Sequence, residues 1–245
     1  MIICKNCNTQ FEGKYCNNCR QSADTYRITW RELVNHLTLA IIQVDRGILY
    51  TLKELTLRPG YTIRDYLNGK RIYHFNPFLF MILSGGLVSL LFSSLNVQLP
   101  VKEIELEEIE RFNTTLAHKY FAMIGLIFMI LLSVTDFIFF FNKKFILSEL
   151  LVSNTFQAGQ ILVITIAFFP ILFFQNYVAR TLGVEIEIRM LLKALVLIYL
   201  FWVRYQLFEA KGSYWVITKI VIQLIVVYLL YNYVIAELIV HWQKA

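Results

Sequence analysis

Apolar positions divide this chain into three regimes. The first 26 residues are polar, with their cysteines in a tight cluster. From Trp30 to Leu55 apolar residues recur at helical spacing, and from Pro77 onward they merge into long runs. In the middle regime Trp30, Leu33, Val34, Leu37, Ile41 and Val44 share one helical face, with Arg27, Arg31, Glu32, Asn35, His36 and Gln43 mostly elsewhere. Thr29 followed by Glu32 reads as a capping box. Gly47 interrupts the pattern, and a short helix carrying Ile48, Leu49, Leu52 and Leu55 should end before Pro59-Gly60, a turn signal. Thr62 and Asp65 are expected to cap a further short helix, "IRDYL", which Asn68-Gly69 would close in a left-handed turn. Asn76-Pro77 fits an N-cap followed by proline in the first helical turn.

The apolar runs are Pro77–Leu95, Ala117–Phe141, Thr155–Tyr177, Met190–Phe208 and Tyr214–Ala236. A bilayer is crossed by about 20 residues of helix, so five spans are expected. Pro170 should kink the third. In the fourth, Lys193 and Arg204 leave a short uncharged centre, which suggests a tilted, snorkelling or partly inserted segment. The expected architecture is an all-α polytopic membrane protein of about five transmembrane helices, with an N-terminal Cys4 zinc ribbon and interfacial amphipathic helices. Its domains are residues 1–22 (ribbon), 23–76 (amphipathic helices and basic collar) and 77–245 (helical bundle).

Composition agrees. The chain of 245 residues is 58% hydrophobic, against about 45–50% for ordinary soluble domains. The net charge is +6, and residues 1–76 hold eleven Lys/Arg against six Asp/Glu, a surplus of five. A basic stretch beside a span faces the cytoplasm and its anionic lipids, so the N-terminus is placed inside. The acidic stretch "VKEIELEEIERF" then falls outside and Lys143-Lys144 inside. The basic residues are dispersed among apolar ones, which argues against nucleic acid as a partner.

All four cysteines lie in "CKNCNTQFEGKYCNNC", two C-x2-C pairs separated by eight residues. Cys4, Cys7, Cys16 and Cys19 are the tetrahedral donor set of a structural Zn2+, whose four thiolates close the coordination shell and leave no position for catalysis. Disulfides are disfavoured in a reducing compartment, and a redox pair lacks its βαβ setting. Asn8 can take the left-handed conformation that closes such a knuckle, whereas Arg20 stands where glycine is commoner.

Together with this ribbon, "ITWRELVNHL", "VDRGILYTLKELTLRPGYTIRDYLNGKR" and "YHFNPFLF" resemble the bacterial membrane family called domain of unknown function 3667. The resemblance runs from about Cys4 to Phe80, and its most specific block is Asp45 to Arg71. "CRQ" departs from the Cys-Gly-Gln of these ribbons. The resemblance implies a bacterial inner-membrane protein, multi-pass, with a cytoplasmic zinc ribbon and no known activity. A surface helix ahead of about five spans is also similar in layout to the Yip family of membrane-shaping proteins.

Two polar sets are candidates for function. Asp45, Arg46, Arg58, Arg64, Asp65, Lys70 and Arg71 could hold a lipid headgroup or a protein partner at the collar. Asp136, Gln157, Gln160 and Glu237, with Asn232, lie inside spans, where ionisable and amide groups mark relays or interhelical hydrogen bonds. No phosphate loop, HExxH or Gly-x-Ser-x-Gly is found. The leading functional expectation is a non-enzymatic module binding a cytoplasmic protein or membrane lipid, with self-association open. The alternatives are a transporter or lipid-moving protein using Asp136 and Glu237, and a membrane enzyme on a lipid-linked substrate.

Overall fold

The computed structural model describes residues 1–25, 28–29, 47–94, 125–141, 145–182 and 188–243. The helix expected over Trp30–Val44, with Asp45 and Arg46, lies outside them, as do the acidic loop, Lys143-Lys144 and the side chains of Asn232 and Glu237. Strands β1 (Ile2–Ile3) and β2 (Gln10–Phe11) form an antiparallel hairpin with Ile2 opposite Phe11 and Ile3 opposite Gln10. The helices that follow are α1 (Ile48–Leu57), α2 (Pro59–Leu67), α3 (Pro77–Ser94), α4 (Gly125–Phe139), α5 (Leu147–Leu182), α6 (Ile188–Leu207) and α7 (Tyr214–Gln243).

Two local expectations are corrected. Pro59-Gly60 is no turn: both residues belong to α2, and Arg58 alone separates α1 from α2. Proline is tolerated in a first helical turn because its missing N–H would have no intrahelical acceptor there. Thr62 and Asp65 consequently lie inside the helix and do not cap its start; the Thr62 hydroxyl also reaches the Glu54 carbonyl in the last turn of α1 at 3.2 Å. The Thr62 hydroxyl donates to the Arg58 carbonyl at 2.9 Å, and Asp65 accepts from Lys70 Nζ at 2.9 Å. The ends of this region behave as read. Gly69 takes φ +105°, its N–H donates to the Tyr66 carbonyl (3.1 Å) and that of Lys70 to the Asp65 carbonyl (2.9 Å), closing α2. Asn76 Oδ1 accepts the N–H groups of Phe78 (3.0 Å) and Leu79 (3.3 Å), an N-cap for α3.

Packing follows from small residues placed where helices meet. Gly60 lies against the end of α6, where an added Cβ would sit 2.5 Å from Gln206 Cβ and 2.6 Å from the Leu207 nitrogen. Gly159 of α5 lies against Phe80 of α3, whose Cε1 would be 2.8 Å from such a Cβ. The core is rich in phenyl rings: Phe140 stacks on Phe208 (3.8 Å between centroids), and Tyr66 meets Phe156 edge-on at 5.0 Å.

The outside of the bundle is apolar. Leu87 and Leu90 on α3, Ile130 and Ile138 on α4, Ile198 on α6, and Ile225 and Leu229 on α7 are all exposed. One described helix, Leu147–Ile171 within α5, is long and apolar enough to cross a membrane; Pro77–Leu91, Gly125–Phe139 and Tyr214–Leu230 are shorter apolar helices. The helix continues through Pro170. Among the described residues the chain is mostly helical, with one candidate span and an N-terminal cysteine cluster, a coarser result than five spans.

Candidate metal centre and buried polar layer

The hairpin and a following loop each end in a knuckle of the same construction. In the first, Cys4 N–H donates to the Thr9 carbonyl and Asn8 N–H to the Cys4 carbonyl, both at 2.9 Å. In the second, Cys16 N–H donates to the Gln21 carbonyl (2.9 Å) and Arg20 N–H to the Cys16 carbonyl (2.8 Å). Asn8 (φ 60°) and Arg20 (φ 63°) occupy the same left-handed position. The arginine therefore keeps the knuckle geometry and bears the steric cost that glycine would avoid.

These knuckles bring four free thiols together, with Cys4 and Cys19 Sγ 3.5 Å apart, Cys7 and Cys16 Sγ 3.6 Å apart, and all four donor atoms within 4.8 Å of one another. Tetrahedral thiolates at about 2.3 Å from a zinc ion would stand roughly 3.8 Å apart, so the spacing fits a metal. The only buried apolar groups of the head are Cys4, Cys16 and Phe11. Its interior is thus little more than its own donor set and the Phe11 ring. The Thr9 side chain, 3.3 Å from Cys7 Sγ, holds that thiol down to about 6, whereas burial pushes Cys19 up to about 11. Four thiolates this close repel one another until a cation neutralises them.

The second constellation lies where four helices converge. Arg204 of α6 is fully buried, and its Nε and Nη2 grip the two carboxylate oxygens of Asp136 on α4 at 3.1 and 3.2 Å. Nη1 donates to Gln157 Oε1 on α5 (2.9 Å) and to the Leu200 carbonyl (3.2 Å), and Nε also reaches Gln223 Oε1 on α7 (3.0 Å). Asp136 accepts further bonds from Asn154 Nδ2 (2.9 Å) and Gln223 Nε2 (2.7 Å). Gln157 Nε2 donates to Asn154 Oδ1 at 2.8 Å, and Asn154 Nδ2 reaches Ser133 Oγ at 3.1 Å. The guanidinium and carboxylate offer a planar two-pronged match, and the amides take up the remaining valences. A buried charge pair persists only when its hydrogen bonds are completed in this way.

Asp136 and Gln157 from the sequence reading thus meet in one site. Gln160, one turn beyond Gln157, does not join them: its Nε2 donates to Thr56 Oγ1 on α1 at 2.9 Å. Arg204, Asn154 and Gln223 were missed. The sequence suggests that Lys193 and Arg204 make their span tilted, snorkelling or partly inserted; Arg204 instead points inward, where Asp136 receives it. A lone arginine and a lone aspartate, each inside an apolar run, were the available signal.

The collar residues are distributed among several partners. Arg64 pairs with Glu209 and donates to the carbonyls of Leu207 and Gln206 at the end of α6. Arg58 pairs with Glu54 and lies 3.8 Å from Asp65, which also holds Lys70. Arg71 covers the Tyr66 ring at 5.5 Å. His74 sits edge-on to Tyr50 and Tyr66, its Nδ1 buried without a hydrogen-bond partner among the described residues, and burial lowers its pKa to about 4.

All of these collar groups fall in one stretch of chain, and a family comparison selects that stretch. Residues 45–88 match the family described as Protein of unknown function (DUF3667). The matched segment covers α1, α2 and the first part of α3; the cysteine head and the Arg204 layer lie outside it. No curated protein and no solved structure matches the chain.

Proposed function

We infer that this chain is a multi-pass protein of the bacterial inner membrane whose cytoplasmic head is a zinc ribbon. The head and the DUF3667 collar act as a non-enzymatic module that docks a cytoplasmic protein or anionic lipid. The single observation that carries this reading is a rigid metal-type head stitched to a helical body whose exterior is apolar. The five helices α3 to α7 carry exposed leucine, isoleucine and aromatic side chains that water would not tolerate in such number. On α7, Tyr214 and Trp215 are exposed near one end and Tyr233 is exposed 18 residues beyond Trp215, about 27 Å along the axis. That separation suits two aromatic girdles flanking a hydrocarbon core of about 30 Å.

Zinc is the metal proposed, because four cysteine ligands in two knuckles select a soft tetrahedral ion. Such an ion supplies folding energy and no open coordination position. The collar's Arg58, Asp65, Lys70 and Arg64 are engaged with protein groups, which favours presentation of a formed surface over a reactive cavity. Two arms test the reading in full-length protein held in nanodiscs. Deletion of residues 1–26 should abolish recovery of a cytoplasmic partner in a pull-down. Replacing phosphatidylglycerol by neutral lipid should weaken any lipid association. If neither change has an effect, the docking role fails.

The buried Arg204–Asp136 pair favours a second reading, a transporter or lipid-moving protein, since charges within a helical bundle are the usual relay groups. Asp136→Asn should then slow movement of a labelled ion or lipid in proteoliposomes. An absence of movement by the intact chain contradicts that reading.

A further inference from the structure

Among the described residues the cysteine head meets the DUF3667 segment at the turn that closes α2. Gln21 makes the fastening with both ends of its amide. Its Nε2 donates to the Gly69 carbonyl at 2.7 Å, and its Oε1 accepts the Arg71 N–H at 3.2 Å. The side chain is buried, although it belongs to a segment with almost no core. The same residue's backbone carbonyl receives the Cys16 N–H that forms the second knuckle. One residue therefore stands between a proposed metal ligand and the turn.

The first knuckle reaches the same turn by another route. Lys5, between Cys4 and Cys7, donates to the Thr25 carbonyl, and its stem and Thr25 cover Gly69. An added Cβ on Gly69 would lie 2.8 Å from Lys5 Cδ and 3.2 Å from Thr25 Cγ2. Gly69 also holds φ +105°, which other residues rarely adopt. The turn is thus shaped to receive the head, and two knuckles converge on it.

We propose that metal occupancy of the cysteine cluster orders the Gly69–Arg71 turn through Gln21, making the head a metal-responsive latch on the DUF3667 segment. The inference rests on the zinc reading above. With the cysteines unligated the head has little interior beyond Phe11 to hold it, Gln21 loses its fixed position, and its hydrogen bonds to the Gly69 carbonyl and the Arg71 N–H are lost. Linkage requires the converse: a turn that cannot accept Gln21 weakens the hold on the metal.

The test is hydrogen exchange by mass spectrometry on the full chain in nanodiscs, zinc-loaded and after treatment with a chelator. In the native protein, chelation should accelerate exchange of the Arg71 amide about tenfold, the change expected from losing one ordered hydrogen bond. Gln21→Ala loaded with zinc should already show the fast rate, and chelation should add little. Unchanged exchange at residues 69–71 after zinc leaves, or a Gln21→Ala protein identical to the native one, overturns the latch while leaving the zinc ribbon standing. A chain that binds no zinc overturns both. Should Gln21→Ala lose zinc by itself, Gly69→Ala decides: zinc affinity in chelator competition lowered about tenfold supports the latch, and unchanged affinity overturns it.

Discussion

The cysteine head and the Arg204 layer meet the same physical demand by opposite means. Each gathers polar groups that cannot be left alone away from water. The head draws all four donors from 16 consecutive residues, Cys4 to Cys19, a set that could hold one metal ion. The Arg204 layer draws its groups from four helices, with Asp136 and Gln223 separated by 87 residues, and is completed entirely by the chain itself. On the zinc reading proposed above, the head is conditional on its surroundings. The layer links four helices through hydrogen bonds supplied by the chain.

The largest effect expected of this contrast is at the head. Cys16→Ser should abolish metal binding and unfold residues 1–25, since metal supplies of order 10 kcal/mol to modules of this kind. The main thermal transition of the bundle should persist. Circular dichroism and limited proteolysis separate the two events, and loss of both together would erase the distinction between the regions.

Next in size is the layer. Arg204→Met leaves the Asp136 carboxylate buried without its counter-charge and should destabilise the bundle by about 3–5 kcal/mol. Combining it with Asp136→Leu should recover most of that loss, because an apolar pair needs no partners. Thermal unfolding in detergent measures both. A double variant no better than Arg204→Met would mean the pair is not acting as a unit.

A smaller effect concerns His74, which packs against Tyr50 and Tyr66 in the collar. Its folded-state pKa of about 4 lies below the ordinary value of 6.5, so folding favours the neutral ring. Its contribution is present above pH 6.5 and is lost as pH falls from 6.5 toward 4, because the unfolded chain binds the extra proton first. The loss amounts to at most about 3 kcal/mol. His74→Gln should flatten that part of the stability–pH curve. The smallest effect is at Arg20, whose φ of 63° suits glycine: Arg20→Gly should stabilise the metal-loaded head by about 0.5–1 kcal/mol.

What could be read in the sequence follows the same division. The cysteine cluster, the Asn8 knuckle, the Asn68-Gly69 closure and the Asn76-Pro77 cap depend on neighbours a few residues away, and each was legible. The start of α2 was misread because Pro59-Gly60 is ambiguous locally. Only the close approach of Gly60 to the end of α6 explains why a glycine there is helical. The Arg204 layer was half legible. Asp136 and Gln157 stood out as polar residues among apolar ones, but an arginine near a helix end reads equally well as snorkelling. Its inward orientation is decided by a partner 68 residues away. Gln21 carried no signal beyond following Cys19-Arg20, since its role depends wholly on where Gly69 lies.

Elemental analysis of the full-length protein, purified without added metal, tests the central claim most directly. One zinc ion per chain, lost from Cys16→Ser, is the predicted result. Protein that is folded, monodisperse and free of stoichiometric metal would contradict it.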